Sequence, residues 1–244
     1  MNTTEFIHEF DVLLNAHQQE FDGEISELLL DEYEKSVLLT QAQEEFVVAA
    51  YNGKNQYGYM FESDEESRRY LAPLIRTVEL SPLTSNLPLV KVSPYSRFFK
   101  LPSDLLFITY ESVTLESNNS CLNGKTLEVV PIRQDEFHKV KDNPYRGVNN
   151  RRALRLDNTG NIVEIVCKHD ISKYTVRYVK RPLPIVLTCL DGDLSIQGVD
   201  YINGSVLEPV THRLILQRAV SLALQSKSIN QKTNKQTTNN NQNN

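Results

Sequence analysis

The chain has 244 residues, 40% hydrophobic and 23% charged, with no tryptophan and a formal net charge of −5. That composition fits one or two globular domains with a sizeable core and excludes a disordered polypeptide. No apolar run approaches the roughly 20 residues that span a bilayer, and the opening MNTTEFIHEFDVLL is acidic where a secretory signal needs a basic start, so the expectation is a soluble protein with no membrane partner.

Thr3 or Thr4 is placed to cap a first helix, in which Phe6, Phe10, Leu13, Leu14 and His17 form one stripe at helical spacing. Asp22-Gly23 marks its end, and residues 24–39 alternate acidic and apolar without a clear assignment. Thr40-Gln41-Ala42-Gln43 fits the S/T-x-x-E/Q capping box and predicts a second helix. Ala42, Phe46, Ala49 and Ala50 line one face of it, and Asn52-Gly53 closes it. Ser63-Asp64-Glu65-Glu66 is another capping box, and the helix behind it gathers Tyr70, Leu71, Leu74, Ile75 and Val78. Pro73 kinks or shortens that helix, because it lacks an N–H and crowds the preceding turn. Pro82, Pro88 and Pro94 then mark an extended connector over 81–96, in which Leu87, Leu89, Val90 and Val92 can pack.

From residue 97 the hydrophobic period changes to two. Leu105–Glu116 and Thr126–Ile132 read as strands around Asn123-Gly124, a type I′ hairpin signal that needs positive φ at both central positions. Gln134–Asp142 reads as a short helix ended by Asn143-Pro144, with a polar loop to Arg151. Arg152–Leu156 and Asn161–Cys167 flank a second hairpin turn, Asp157-Asn158-Thr159-Gly160, and Tyr174–Lys180 is a further strand. Glu208-Pro209 opens a last helix whose polar stripe, Arg213, Gln217, Ser221 and Gln225, is narrow, so the helix is buried on most sides. The fold class expected is α+β, with N-terminal helices and a C-terminal helix packed with an antiparallel sheet or small β-sandwich. The regions are a helical 1–80, the connector 81–96, a β domain 97–190, a loop and helix 191–227, and a disordered Asn/Gln-rich tail 228–244.

Residues 1–96 carry 17 acidic and 6 basic side chains, and residues 97–244 carry 14 and 20. Such asymmetry suits copies that meet acidic part against basic part, a basic face near DNA, or simply two solvated regions of opposite sign. The basic candidates are Arg146, Arg151, Arg152 and Arg155 around the 143–152 loop, with Arg177, Lys180 and Arg181 further on. In a strand Arg177 and Lys180 point to opposite faces, which favours a solvated strand edge or a subunit interface over one phosphate-binding patch. Sequence-independent nucleic-acid binding by the basic β part is the alternative. No enzyme is expected: the Gly-rich phosphate loops, G-x-S-x-G and H-E-x-x-H are all missing. Cys121, Cys167 and Cys189 form no C-x-x-C, and the acidic runs Asp31–Glu34 and Asp64–Glu66 lack EF-hand spacing, so no metal or cofactor is expected.

Four stretches, in this order, resemble the head-to-tail ring and adaptor proteins of tailed bacteriophages, in particular the crAss-like group. They are DEYEKSVLLTQAQEEFVVAAYNG (31–53) with FESDEESRRYLAPLI (61–75), KLPSDLLFITYESV (100–113), VVPIRQDEFHKVKDNPYRG (129–147) with YTVRYVKRPLPIVL (174–187), and EPVTHRLILQRAVSLAL (208–224). The resemblance implies a structural protein of the virion, assembled in the host cytoplasm and placed at the head-to-tail junction or tail. It implies a cyclic ring of this chain, of dodecameric type, and a conduit for genomic DNA. The partners it implies are the portal protein and an adjacent tail ring or tail hub protein, with no catalysis and no cofactor.

Overall fold

The structure, a computed structural model, describes residues 1–18, 30–53, 61, 63–84, 91–117 and 120–241, with side chains through residue 226. The proposed helix end at Asp22-Gly23 and the packing of Leu87, Leu89 and Val90 lie outside the described residues. The chain forms two compact units: Met1–Leu74 with Pro182–Asn244, and Ile75–Arg181. The 81–96 connector therefore lies within the second unit, and the C-terminal helix belongs with the N-terminal ones.

In the first unit, α1 (Thr3–Gln18) buries Phe6, Phe10 and Leu14. Its start is fixed by Asn2, not by Thr3 or Thr4. The Asn2 side chain accepts from the Glu5 N–H at 2.8 Å, and the Glu5 carboxylate accepts from the Asn2 N–H at 2.8 Å. Helix α2 (Glu32–Tyr51) starts eight residues before Thr40, at an Asp31–Glu34 capping box. It ends as expected at Asn52 and at Gly53, whose φ is +70°. Helix α3 (Glu65–Leu71) is capped by Asp64, one residue later than the Ser63 box predicts, through the Glu66 and Ser67 N–H groups. A 3₁₀ turn at Ala72–Leu74 ends this helix, and Ile75–Leu80 is a strand, β1. The helix predicted to run on to Val78 is thus corrected: Pro73 stops it, and the β-branched Ile75, Thr77 and Val78 favour the strand.

Thr40 and Gln43, read as a capping box, and Ser36, left without an assignment, are buried mid-helix and hold the backbone of Pro182–Leu187. Thr40 Oγ1 accepts from the Ile185 N–H at 3.1 Å and donates to the Ile185 carbonyl at 3.2 Å. Gln43 Nε2 donates to the Leu183 carbonyl, and Ser36 Oγ accepts from the Leu187 N–H. Asn203 completes the set, donating from its side chain to the Pro184 carbonyl and exchanging both backbone bonds with Val186. Pro182 and Pro184 cannot donate to a ladder, so this buried extended segment depends on side chains for its polar partners. Beyond it, α5 (Pro209–Asn241) begins with Pro at its first position and packs on α1 and α2 through Ile215, Leu216, Ala219, Val220 and Ala223. In place of the disordered tail that composition predicts from residue 228, the helix continues to Asn241. Extending a packed helix adds a hydrogen bond per residue without a new nucleation step.

The second unit is one seven-stranded sheet. After β1 come β2 (Arg97–Lys100), β3 (Leu105–Glu116), β4 (Thr126–Pro131), β5 (Arg152–Asp157), β6 (Ile162–Val166) and β7 (Asp170–Lys180), in the order β1-β7-β3-β4-β5-β6-β2. The α+β class holds. All neighbours pair antiparallel except β4 and β5, which are parallel. A parallel pair needs a crossover, supplied here by residues 132–151 with the short helix α4 (Phe137–Val140). The β3–β4 connection forms a hairpin, but not the two-residue type I′ turn: Gly124 has φ +75° and Asn123 is not in the positive-φ region. At the β5–β6 turn both Gly160 (φ +72°) and Asn161 (φ +58°) are left-handed. One face of the sheet buries Phe99, Val113, Leu127, Ile165, Tyr174 and Val176; on the other, Leu154, Leu156 and Val166 pack with Phe137 of α4.

Strand alternation turns Arg155 onto the first of these faces, where it is 9% exposed. Its Nη1 donates to Glu111 Oε1 at 2.6 Å, its Nε lies 2.9 Å from Asp157 Oδ1, and Tyr174 donates its hydroxyl to Glu111 Oε2 at 2.5 Å. Burial pushes the Glu111 carboxyl above its ordinary value, an effect that Arg155 and the Tyr174 hydroxyl partly offset. Burial also disfavours the Arg155 charge, but the Glu111 and Asp157 carboxylates outweigh it and hold the guanidinium above its ordinary value.

Two outcomes follow in urea denaturation of the full chain. Thr40→Val leaves both polar groups of Ile185 buried without their partner and lowers stability by about 1–3 kcal/mol; Thr40→Ser, which keeps the oxygen, loses less. Arg155→Met strands the Glu111 carboxylate and costs about 3–5 kcal/mol, most of which Glu111→Gln in the same chain restores. The sign with pH is set by the raised carboxyl. Without Arg155 the folded chain favours protonated Glu111 still more, so the deficit is smallest at acid pH and grows as pH rises through the folded value.

Candidate subunit interface

The sequence candidates fall into three groups. Arg155 is committed to the sheet interior and is withdrawn from any surface role. Arg177, Lys180 and Arg181 sit at the end of β7, with Arg177 and Arg181 exposed and Lys180 half-buried. Strands β3 and β4 separate β7 from β5, a displacement of about 14 Å at the usual strand spacing. Arg177 and Lys180 also take opposite faces by alternation, as the spacing predicts. The structure therefore does not merge the basic residues into one strip.

Arg146, Arg151 and Arg152 do come together, on a loop built with little freedom. Asn143 starts it: its Oδ1 accepts from the Tyr145 N–H at 2.9 Å and the Arg146 N–H at 3.1 Å, and its carbonyl accepts from the Gly147 N–H at 2.7 Å. A Cβ at Gly147 would lie 2.6 Å from the carbonyl oxygens of Asn143, Lys141 and Val140, so only glycine fits. Asn149 Oδ1 accepts from the Arg151 N–H at 2.8 Å. Arg152 Nη1 donates to the Tyr145 carbonyl at 2.9 Å, which makes Arg152 a brace of the loop and leaves Arg146 and Arg151 as its exposed charges.

At the tip stands Tyr145, 85% exposed. The sequence reading passed over it in favour of the arginines. Its signal was present in Asn-Pro-Tyr-Arg-Gly, an aromatic residue between two turn residues, where no core position explains it.

The charge division holds by unit as it does by chain half. The first unit carries 20 acidic and 9 basic side chains, net −11; the second carries 11 and 17, net +6. Large apolar side chains exposed on the first unit include Val12 on α1, Val37 and Val48 on α2, and Val210 and Leu214 on α5. Among the described residues no group of three or more His, Cys, Asp or Glu side chains is placed to hold a metal ion, and no helix is long and apolar enough to cross a membrane.

The sequence profile described as phage tail ring protein 3/4 matches residues 1–237. The chain is 44% identical over 231 residues to "Ring protein 3" of Bacteroides phage crAss001, covering 93% of this chain and 97% of that protein. It is 34% identical over 232 residues to "Ring protein 4/5" of the same phage, covering 91% of this chain and 92% of that one. A match over residues 1–237 and these two relatives, each similar over more than nine-tenths of both chains, show that the chain belongs to the phage tail ring protein 3/4 family.

Proposed function

We propose that this protein is a structural component of a phage virion. It closes into a ring of the head-to-tail connector, on the conduit through which genomic DNA passes. The observation that carries this reading is the match to the ring protein family along residues 1–237. The charge division supports it: one repeated contact between unlike surfaces closes into a ring when the rotation between copies closes, and net −11 and net +6 units in one chain supply unlike surfaces. The proposed neighbours are the portal protein and an adjacent ring or tail hub protein, and the proposed symmetry is dodecameric. The role involves no catalytic step and no cofactor. The nucleic-acid alternative draws little support, since the basic side chains it needs are divided between a buried pair, a loop and a strand end.

In mass photometry and cryo-electron microscopy of the full chain, alone and with portal protein, the expected species is a closed ring built on the 27.9 kDa subunit. A monomer under both conditions would sink the proposal. Duplex DNA is expected to give no retention in a mobility-shift assay at about 0.15 M salt; an affinity that falls steeply with log salt would favour the alternative instead.

A further inference from the structure

We propose that Tyr145 is the anchor of the contact between neighbouring copies. Flanked by Arg146 and Arg151, it seats on the exposed Glu5–Glu9–Val12 stripe of α1 in a second copy of this chain. This deepens the ring proposal and rests on it.

Four observations carry it. First, Tyr145 is the most exposed of the large apolar and aromatic side chains among the described residues, at 85%. Tyr and Arg are the residue types most enriched at interface hot spots, because they bring large area and directed hydrogen bonds together. Second, the loop that presents it is already ordered. Asn143, Gly147 and Arg152 fix the backbone on both sides of the phenol, so docking orders little chain and the usual entropic cost is reduced.

Third, the loop cannot pair with its own copy across a two-fold axis. Its exposed charges at Arg146 and Arg151 are both positive, so loop on loop would set like against like; its complement is a different, acidic surface, and a contact between two different surfaces repeated around one axis builds a ring. Fourth, α1 offers the complement. It carries Glu5, Glu9 and Asp11 and no Lys or Arg. Lys35 neutralises Asp11 at 2.7 Å, and Glu5 caps its own helix. Glu9 has no partner among the described residues, and Val12, three positions on, is 67% exposed. An aromatic ring on Val12 and a guanidinium on Glu9 satisfy both exposed groups at once.

The test uses the full chain and two single reversals, R146E and E9R, with Tyr145→Ala and Tyr145→Phe beside them. Each reversal alone, and Tyr145→Ala, is expected to raise the concentration for ring assembly at least tenfold with an unchanged circular dichroism spectrum; Tyr145→Phe stays near wild type. An equimolar mixture of R146E and E9R is expected to regain rings, because in an alternating ring each reversed loop meets a reversed helix. Wild-type rings together with unaffected R146E and Tyr145→Ala rings would place the contact elsewhere and overturn this proposal alone. Failure of the mixture to rescue two defective reversals would overturn the pairing with α1. Loss of DNA retention in R146E with assembly intact would make the loop a nucleic-acid surface and overturn the proposal. A wild-type chain that stays monomeric with portal protein would remove the ring reading itself, and this contact with it.

Discussion

The first unit depends on how α2 satisfies the extended segment Pro182–Leu187. That segment is largely buried, and its two prolines leave it a single backbone bridge, between Val186 and Asn203, in place of a strand ladder. Ser36, Thr40 and Gln43, spaced to fall on one side of the helix, reach three of its residues, and Asn203 holds Val186 and the Pro184 carbonyl. Because the segment is held there, the chain that follows delivers α5 back against α1 and α2, and residues far apart in sequence share one core. The price of the arrangement is a set of buried polar side chains that tolerates little substitution.

Within the sheet, Arg155 plays the corresponding part. It joins β5 to Glu111 of β3 across the intervening β4, and Tyr174 of β7 closes the other side of the same carboxylate. A buried pair of this kind is weak evidence for added stability, since desolvation offsets much of the attraction. It does select register: a slip of one residue would turn Arg155 to the opposite face and leave Glu111 buried alone. A rigid sheet of defined register is what keeps the 143–152 loop, with Tyr145 and its arginines, in one geometry.

Much of this was legible beforehand. The β3 limits, the β5–β6 hairpin, the Asn52-Gly53 stop and the proline start of α5 all follow from local signals: alternation, positive-φ residues and caps. The errors share a different cause. Thr40-x-x-Gln43 has the spelling of a capping box, but Asp31 starts the helix and the two side chains serve a segment about 140 residues away. Arg155 looked like a surface cation because a single sequence does not display Glu111 and Tyr174 beside it. Val78 continued an apolar helical stripe that Pro73 had already ended. Tyr145 was overlooked because the turn residues around it only hint at exposure, and how far its ring stands out is a property of the folded loop.

By itself the sequence determined the α+β class, most of the strands and helices, the acidic and basic division and the resemblance to phage ring proteins. These are local or compositional properties, set by the chemistry of neighbouring residues. Tertiary structure decided which polar residues are internal, that β4 and β5 run parallel, that the chain leaves its first unit and returns to it, and which arginines remain free. Those depend on contacts between residues distant in the chain, where burial and pairing can reverse what a side chain would do alone.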